Sequence, residues 1–178
     1  MAEKTQFVLM AEYNHLMNQR MLQASMNLPS ESLLMDKGAF FHSIIGTLNH
    51  ILIGDILWLK RFSSHPSEYS ALKKMIDEKT PESLRDILYS DISIFSKKRT
   101  QLDSLIIEWC NELNEKDIER AFSYVNFKGE CHSKRFGSLI LHLFLHQVHH
   151  RGQVTTLLSQ EGVNFGETDL PEIIPDFI

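Results

Sequence analysis

Apolar residues recur at three- and four-residue steps in four long stretches of the chain, the spacing that places them on one face of a helix. In the first, from Thr5 to Met26, they are Phe7, Leu9, Met10, Tyr13, Leu16, Met17, Met21 and Leu22, with Thr5 as the expected N-cap. In the second, from Gly38 to Phe62, they are Phe41, Ile45, Leu48, Leu52, Ile56 and Leu59. Thr80-Pro81-Glu82 offers a cap residue, a proline and an acid in succession and predicts the start of a third helix, running to about Asn114. Its expected core positions are Leu84, Ile87, Leu88, Ile92, Phe95, Leu102, Ile106 and Trp109, with Lys97, Lys98 and Arg99 on a solvated face. The fourth stretch spans Phe136 to Glu161 and stops near Gly162.

Between these stretches the pattern changes. Pro29 breaks the chain, and Ser30–Leu34 predicts one short helical turn. Residues 63–68 read as a loop with His65 exposed. Phe122-Ser123-Tyr124-Val125-Asn126-Phe127 is rich in strand-forming residues and runs into Lys128-Gly129, which predicts a small β-hairpin ending near His132. The tail from Asp169 to Pro175 is expected to be extended, with Leu170, Ile173 and Ile174 packed on the body. With no internal repeat and no linker, the expectation is an all-α four-helix bundle, with a small β-hairpin before the last long helix, forming one domain over residues 1–178.

Composition narrows the function. A formal net charge of −5 disfavours a nucleic-acid partner and a polybasic membrane surface. The most apolar stretches, near residues 39–59 and 139–148, are interrupted by His, Asn, Asp or Gly, and neither reads as a membrane span. The first six residues carry no signal-peptide pattern, so a cytoplasmic protein is expected. Cys110 and Cys131 form neither a disulfide framework nor a CxxC module and are read as reduced thiols.

The chemistry lies in the histidines. Four of the nine fall in Leu141–Gln153, an apolar stretch of the fourth helix. His142, His146 and His150 are four apart and share one face, with Gln153 continuing the row. Leu141, Leu145 and Val148 form a neighbouring apolar stripe, so the helix is expected to be buried around its circumference. A buried imidazole needs a partner, and a metal ion is one. On the second helix His50 sits between Gly46 and Gly54, one turn away on either side. Glycine costs about 1 kcal/mol in a helix relative to alanine, so the pair points to space kept for a ligand or a close neighbour. Crossing helices that bring His50 to His146 and His150 would make three imidazoles with no cysteine, the pattern of a metal site with an open coordination position. Imidazole suits zinc, nickel, copper and iron alike. A ferritin-like di-iron site needs two Glu-x-x-His motifs, and the chain has only Glu12-x-x-His15. The His-Glu-x-x-His of metalloproteases is missing, since residue 147 is Gln. His142 is open between ligand, supporting and core roles. Gln153 and Asn14 are the other candidates to support the ligands; Asn14 and Asn18 read either as a solvated polar edge or as a pair that hydrogen-bonds inside the bundle.

Ala11-Glu12-Tyr13-Asn14 with Asn18-Gln19-Arg20, Leu48-Asn49-His50 with Asp55 and Trp58-Leu59, His146-Gln147-Val148-His149-His150-Arg151-Gly152-Gln153 and Asp169-Leu170-Pro171 together resemble the DinB-like (DinB/YfiT-like) metalloenzymes, a family distinct from the DNA polymerase sharing that name. The resemblance covers nearly the whole chain. It implies a four-helix bundle holding a divalent metal on His50, His146 and His150, with His142 moved to a supporting or core role. Some relatives of that kind transfer low-molecular-weight thiols, homodimers are common, and expression responds to damage. The expected function is a divalent-metal-dependent enzyme, with zinc, nickel or iron, that activates a thiol or water against a small electrophilic substrate. The alternative is a non-catalytic stress-response protein binding a metal or small ligand.

Overall fold

The computed structural model describes residues 2–174 and 176; Met1, in the N-terminal stretch read above, and Pro175, in the tail reading, lie outside them. Four long helices carry the fold: α1 (Glu3–Ser25), α3 (Ile44–Phe62), α4 (Ile92–Glu112) and α6 (Phe136–Gln160). Two short ones, α2 (Ser30–Leu34) and α5 (Glu115–Glu119), and two 3₁₀ turns (Ala71–Met75 and Leu170–Ile173) complete the helical part. α1 packs against both α4 and α6, and α3 packs against α6. The hairpin of β1 (Ala121–Val125) and β2 (Cys131–Arg135) precedes α6, in antiparallel register from Ala121↔Arg135 to Val125↔Cys131. The fold is therefore the expected all-α bundle with a small hairpin.

The apolar stripes fill the interior. All six core positions expected on α3 are buried, as are Phe7, Met17, Met21 and Leu22 of α1 and Phe95, Leu102, Ile106 and Trp109 of α4. Phe62, Trp109, Phe122 and Phe136 pack ring to ring where the hairpin meets the bundle. His65 joins them, stacked on Phe136 and buried rather than exposed as expected, while Ser64 and residues 66–68 around it stay at the surface.

Helix ends differ from the sequence reading for local reasons. α1 starts at Glu3 behind Ala2, without a side-chain cap, so Thr5 lies inside the helix. α3 starts at Ile44, because Ser43 turns back to accept from the Gly46 amide at 3.0 Å. The preceding residues form a tight turn with His42 at φ 64°. A Cβ on Gly46 would lie 2.1 Å from the Phe41 carbonyl oxygen, so glycine lets this turn fold onto the helix.

The third long helix does not begin at Thr80. Residues 80–91 cross the molecule as an irregular strap, and α4 starts at Ile92 with Asp91 capping the Ser93 and Ile94 amides. The Asp86 carboxylate accepts from the amides of Glu82 and Ser83, and Asn49 of α3 clamps both the N–H and the C=O of Tyr89. These bonds supply the strap with partners that a helix would otherwise provide. Leu84, Ile87 and Leu88, expected in the core, are consequently exposed. At the other end, the expected extended tail forms a 3₁₀ turn and Ile174 is exposed. Leu141, Leu145 and Val148 are exposed as well, so α6 is not buried all round.

Candidate metal centre

α6 is amphipathic in an unusual way: both of its buried rows carry polar residues. His146 and His150 form one row, and Gln147 and Arg151, each one residue further along, form another about 100° around the helix. The two rows meet different neighbours and make two separate polar clusters.

The first cluster is the histidine triad. One ring nitrogen from each of His50, His146 and His150 lies within 4.8 Å of the others. His50 and His150 are buried and His146 is half-buried. Gly54 makes the approach possible, since a Cβ there would lie 2.7 Å from Cε1 of His146. The α3 glycines thus serve close packing, Gly54 against a triad ring and Gly46 against the turn that places Phe41. The Phe41 ring stacks on His50 at 3.8 Å and meets His150 edge-on at 5.5 Å.

Two of the three imidazoles are oriented through Nδ1. His50 Nδ1 lies 2.9 Å from the Leu84 carbonyl oxygen, and His150 Nδ1 lies 2.8 Å from Gln153 Oε1. Each acceptor fixes the N–H on Nδ1 and leaves a lone pair on Nε2. His50 Nε2 then faces His146 Nε2 at 3.1 Å. A lone pair so close to another ring nitrogen needs either a proton or a cation between them. Burial pushes all three pKa values below the usual histidine range, His146 down to about 3 because the neighbouring imidazoles also disfavour its charged form. The rings are therefore neutral at pH 7, the state in which imidazole binds a metal ion. Donor type, convergence and outer hydrogen bonds all fit a divalent ion.

The other sequence candidates fall elsewhere. His142 is exposed, packs edge-on against Trp58 at 5.2 Å, and lies outside the triad. Asn14 is buried 1% exposed, but its partners are Asp103 and Arg151 rather than a triad histidine. Gln153 touches His150 directly. The Leu84 carbonyl was missed because an oxygen from a strap has no sequence signature; the nearest signal was Asn49, the polar neighbour of His50 that ties the strap down.

The second cluster fills the bundle centre; Asn14 and Asn18 do hydrogen-bond inside the bundle there, while its charged members were missed. Arg99, expected on a solvated face, is 2% exposed, with Nη1 2.5 Å from Asp55 and Nη2 2.8 Å from Asp103. Gln147 donates to Asp55, Arg151 donates to Asn14, and Asn18 donates to Asp103 at 2.9 Å. The four long helices each contribute. Burial raises the Asp55 carboxyl to about 6 despite its ion pair with Arg99. Cys110 is buried and Cys131 exposed, and both are free thiols.

A fold and site of this kind define a class, helical bundles that converge histidines from two crossing helices. A DinB family profile matches residues 1–175, and the chain belongs to the DinB family. It is 24% identical over 164 residues to Protein DinB of Bacillus subtilis (strain 168), an alignment covering 89% of this chain and 87% of that protein. No solved structure matches significantly. No helix among the described residues is long and apolar enough to cross a membrane.

Proposed function

We propose that the protein is a divalent-metal-dependent enzyme whose metal is held by Nε2 of His50, His146 and His150, and which acts on a small electrophilic substrate with a thiol or water as nucleophile. The observation that carries this reading is the pair of Nδ1 contacts, to Leu84 O and Gln153 Oε1, that turn two lone pairs toward the third imidazole. A bound zinc, nickel or iron ion would supply Lewis acidity and lower the pKa of a thiol or water reaching it. Protein groups do the rest. The neutral imidazoles need no proton removed before binding, and Phe41 shields the His50 face from water. With three protein donors and no cysteine, a coordination position is left for the nucleophile. A low-molecular-weight thiol as co-substrate, by transfer, is the favoured version. The same reading takes the protein as a cytoplasmic homodimer; the exposed row Leu141, Leu145 and Val148 on α6 is an apolar face for a second copy.

A second reading, a non-catalytic metal- or small-ligand-binding protein of the stress response, is favoured by one observation. Among the described residues no carboxylate hydrogen-bonds to a triad ring, so none of their direct partners is an independent general base. Metal analysis of protein purified without chelator, beside His146→Ala and His150→Ala, tests the metal. One ion per chain in the wild type and none in the variants is expected, and a wild type that stays metal-free after reconstitution would sink both metal readings. A screen of thiols against small electrophiles then separates them: histidine-dependent turnover supports the enzyme, and none across the screen supports the binding protein.

A further inference from the structure

We propose that the cavity between α1, α6 and the C-terminal segment is a binding site for a small apolar carboxylate, which Arg151 holds by its guanidinium. The site is separate from the histidine triad and does not depend on the metal reading.

The cavity has a volume of about 170 Å³. Met17, Met21, Val148 and Phe165 give it apolar walls, and Arg151 lines it from the bundle side. The C-terminal segment forms one side of it: Tyr13 Oη donates to the Thr168 carbonyl at 2.5 Å, and Arg20 Nη1 donates to the Glu167 carbonyl at 2.5 Å.

Arg151 shares the bundle-centre network, where Asp55 and Asp103 match Arg99 and Arg151 in number, but its own guanidinium meets no carboxylate directly and lies 5.4 Å from the Tyr13 ring. Its side chain is buried, with 6% of the residue exposed. Among the described residues it makes hydrogen bonds only through Nη1, to the neutral amides of Asn14 and Gln147, and it has no carboxylate at ion-pair distance. Arg99, at the bundle centre, has two such carboxylates, Asp55 and Asp103. Buried charges are ordinarily paired, because desolvation is costly without a counter-charge. Arg20, the other arginine on the cavity wall, is already matched by Glu172 at 2.7 Å. Arg151 thus has no hydrogen-bond partner for Nε and Nη2 among the described residues, and it lines a space walled by both apolar residues and Tyr13, Thr155 and Thr168.

Those features set the ligand class. The planar fork of a guanidinium fits a carboxylate through two parallel hydrogen bonds. The room beyond it suits an apolar body of benzene size, since an apolar protein cavity of about 150 Å³ holds benzene. The structure therefore fits a compact monocarboxylate with the acid group inward and the apolar part against Met17, Met21 and Phe165. A highly charged anion would lose more hydration on these walls than one guanidinium returns.

The test uses the full chain with ¹³C-methyl methionine, titrated with sodium benzoate at constant ionic strength and followed by NMR. Benzamide is the uncharged probe of the same shape. Saturable shifts of the Met17 and Met21 methyls with benzoate are expected, with at least about tenfold weaker binding of benzamide. Arg151→Gln should weaken benzoate by about tenfold or more. Thr155→Trp fills the cavity while leaving Arg151 in place, and should abolish the shifts even if Arg151→Gln does not fold. Equal responses to benzoate and benzamide, no shift at Met17 and Met21, or an undiminished response in Thr155→Trp would each overturn the proposal.

Discussion

The two polar clusters along α6 are built from adjacent residues and satisfy opposite rules. His146 and His150 join His50 in a set of three like groups, all neutral, two of which have already given their only N–H to an oxygen. Gln147 and Arg151 face a set of opposite charges and amides that close on one another across α1, α3, α4 and α6. The central network pairs Arg99 with two carboxylates, yet Asn18 Oδ1, Asp55 Oδ1 and Arg99 Nε are left without a hydrogen-bond partner among the described residues. The triad directs lone pairs at one focus, where a proton on His146 Nε2 or a bound cation can sit. A shift of one residue along a helix, or about 100° around it, separates a cluster that specifies packing from one that invites a ligand.

That contrast can be broken from either side. His146→Ala should have the largest effect on metal, abolishing stoichiometric binding by elemental analysis. It should leave the metal-free protein folded by circular dichroism, because His146 is only half-buried and neutral, so its removal strands no charge. Arg99→Leu should do the reverse. It strands Asp55 and Asp103 in the interior and should cost about 3–5 kcal/mol in urea unfolding. If both variants lost stability equally without metal, the division between a packing cluster and a binding cluster would be wrong.

Smaller changes sharpen the comparison. Gln153→Ala removes the acceptor at His150 Nδ1, and metal affinity should fall about 10–100-fold in a competition titration with no change of fold. The pH dependence of the metal-free protein is the subtlest readout. The triad pKa values are lower folded than the usual 6.5, His146 at about 3. On acidification below 6.5 the unfolded chain therefore binds protons first, and stability conferred by neutral imidazoles declines as the pH falls towards the folded values. Urea melts in chelator at pH 7 and pH 5 should show a smaller loss for His146→Ala than for the wild type. An identical loss would mean that His146 does not titrate as its burial implies.

Much of the fold was legible because helical periodicity is a local property. The stripes of α1 and α3, the extent of α6, the hairpin and the stop at Gly162 all follow from residues a few positions apart. The failures share a cause. Thr80-Pro81-Glu82 has good local helix-start chemistry, yet Asn49, distant in sequence, captures the Tyr89 backbone and holds the strap open. Leu141, Leu145 and Val148 have core composition but face outward, because α6 turns its polar rows inward. Lys97, Lys98 and Arg99 looked alike in sequence, and only Arg99 found two aspartates.

The sequence by itself determined the helices, the hairpin and the two families of residue that α6 presents, since 3.6-residue periodicity separates neighbours onto different faces without outside help. It also narrowed the imidazoles of interest to His50, His142, His146 and His150. Tertiary structure decided which polar groups meet. It brought His50 to His146 and His150 through the gap at Gly54, supplied Leu84 O from an irregular strap, and left His142 at the surface. It also placed Arg99 between two carboxylates and Arg151 beside none. A buried polar side chain is defined by its partners, and those partners come from other helices, at separations no local pattern records.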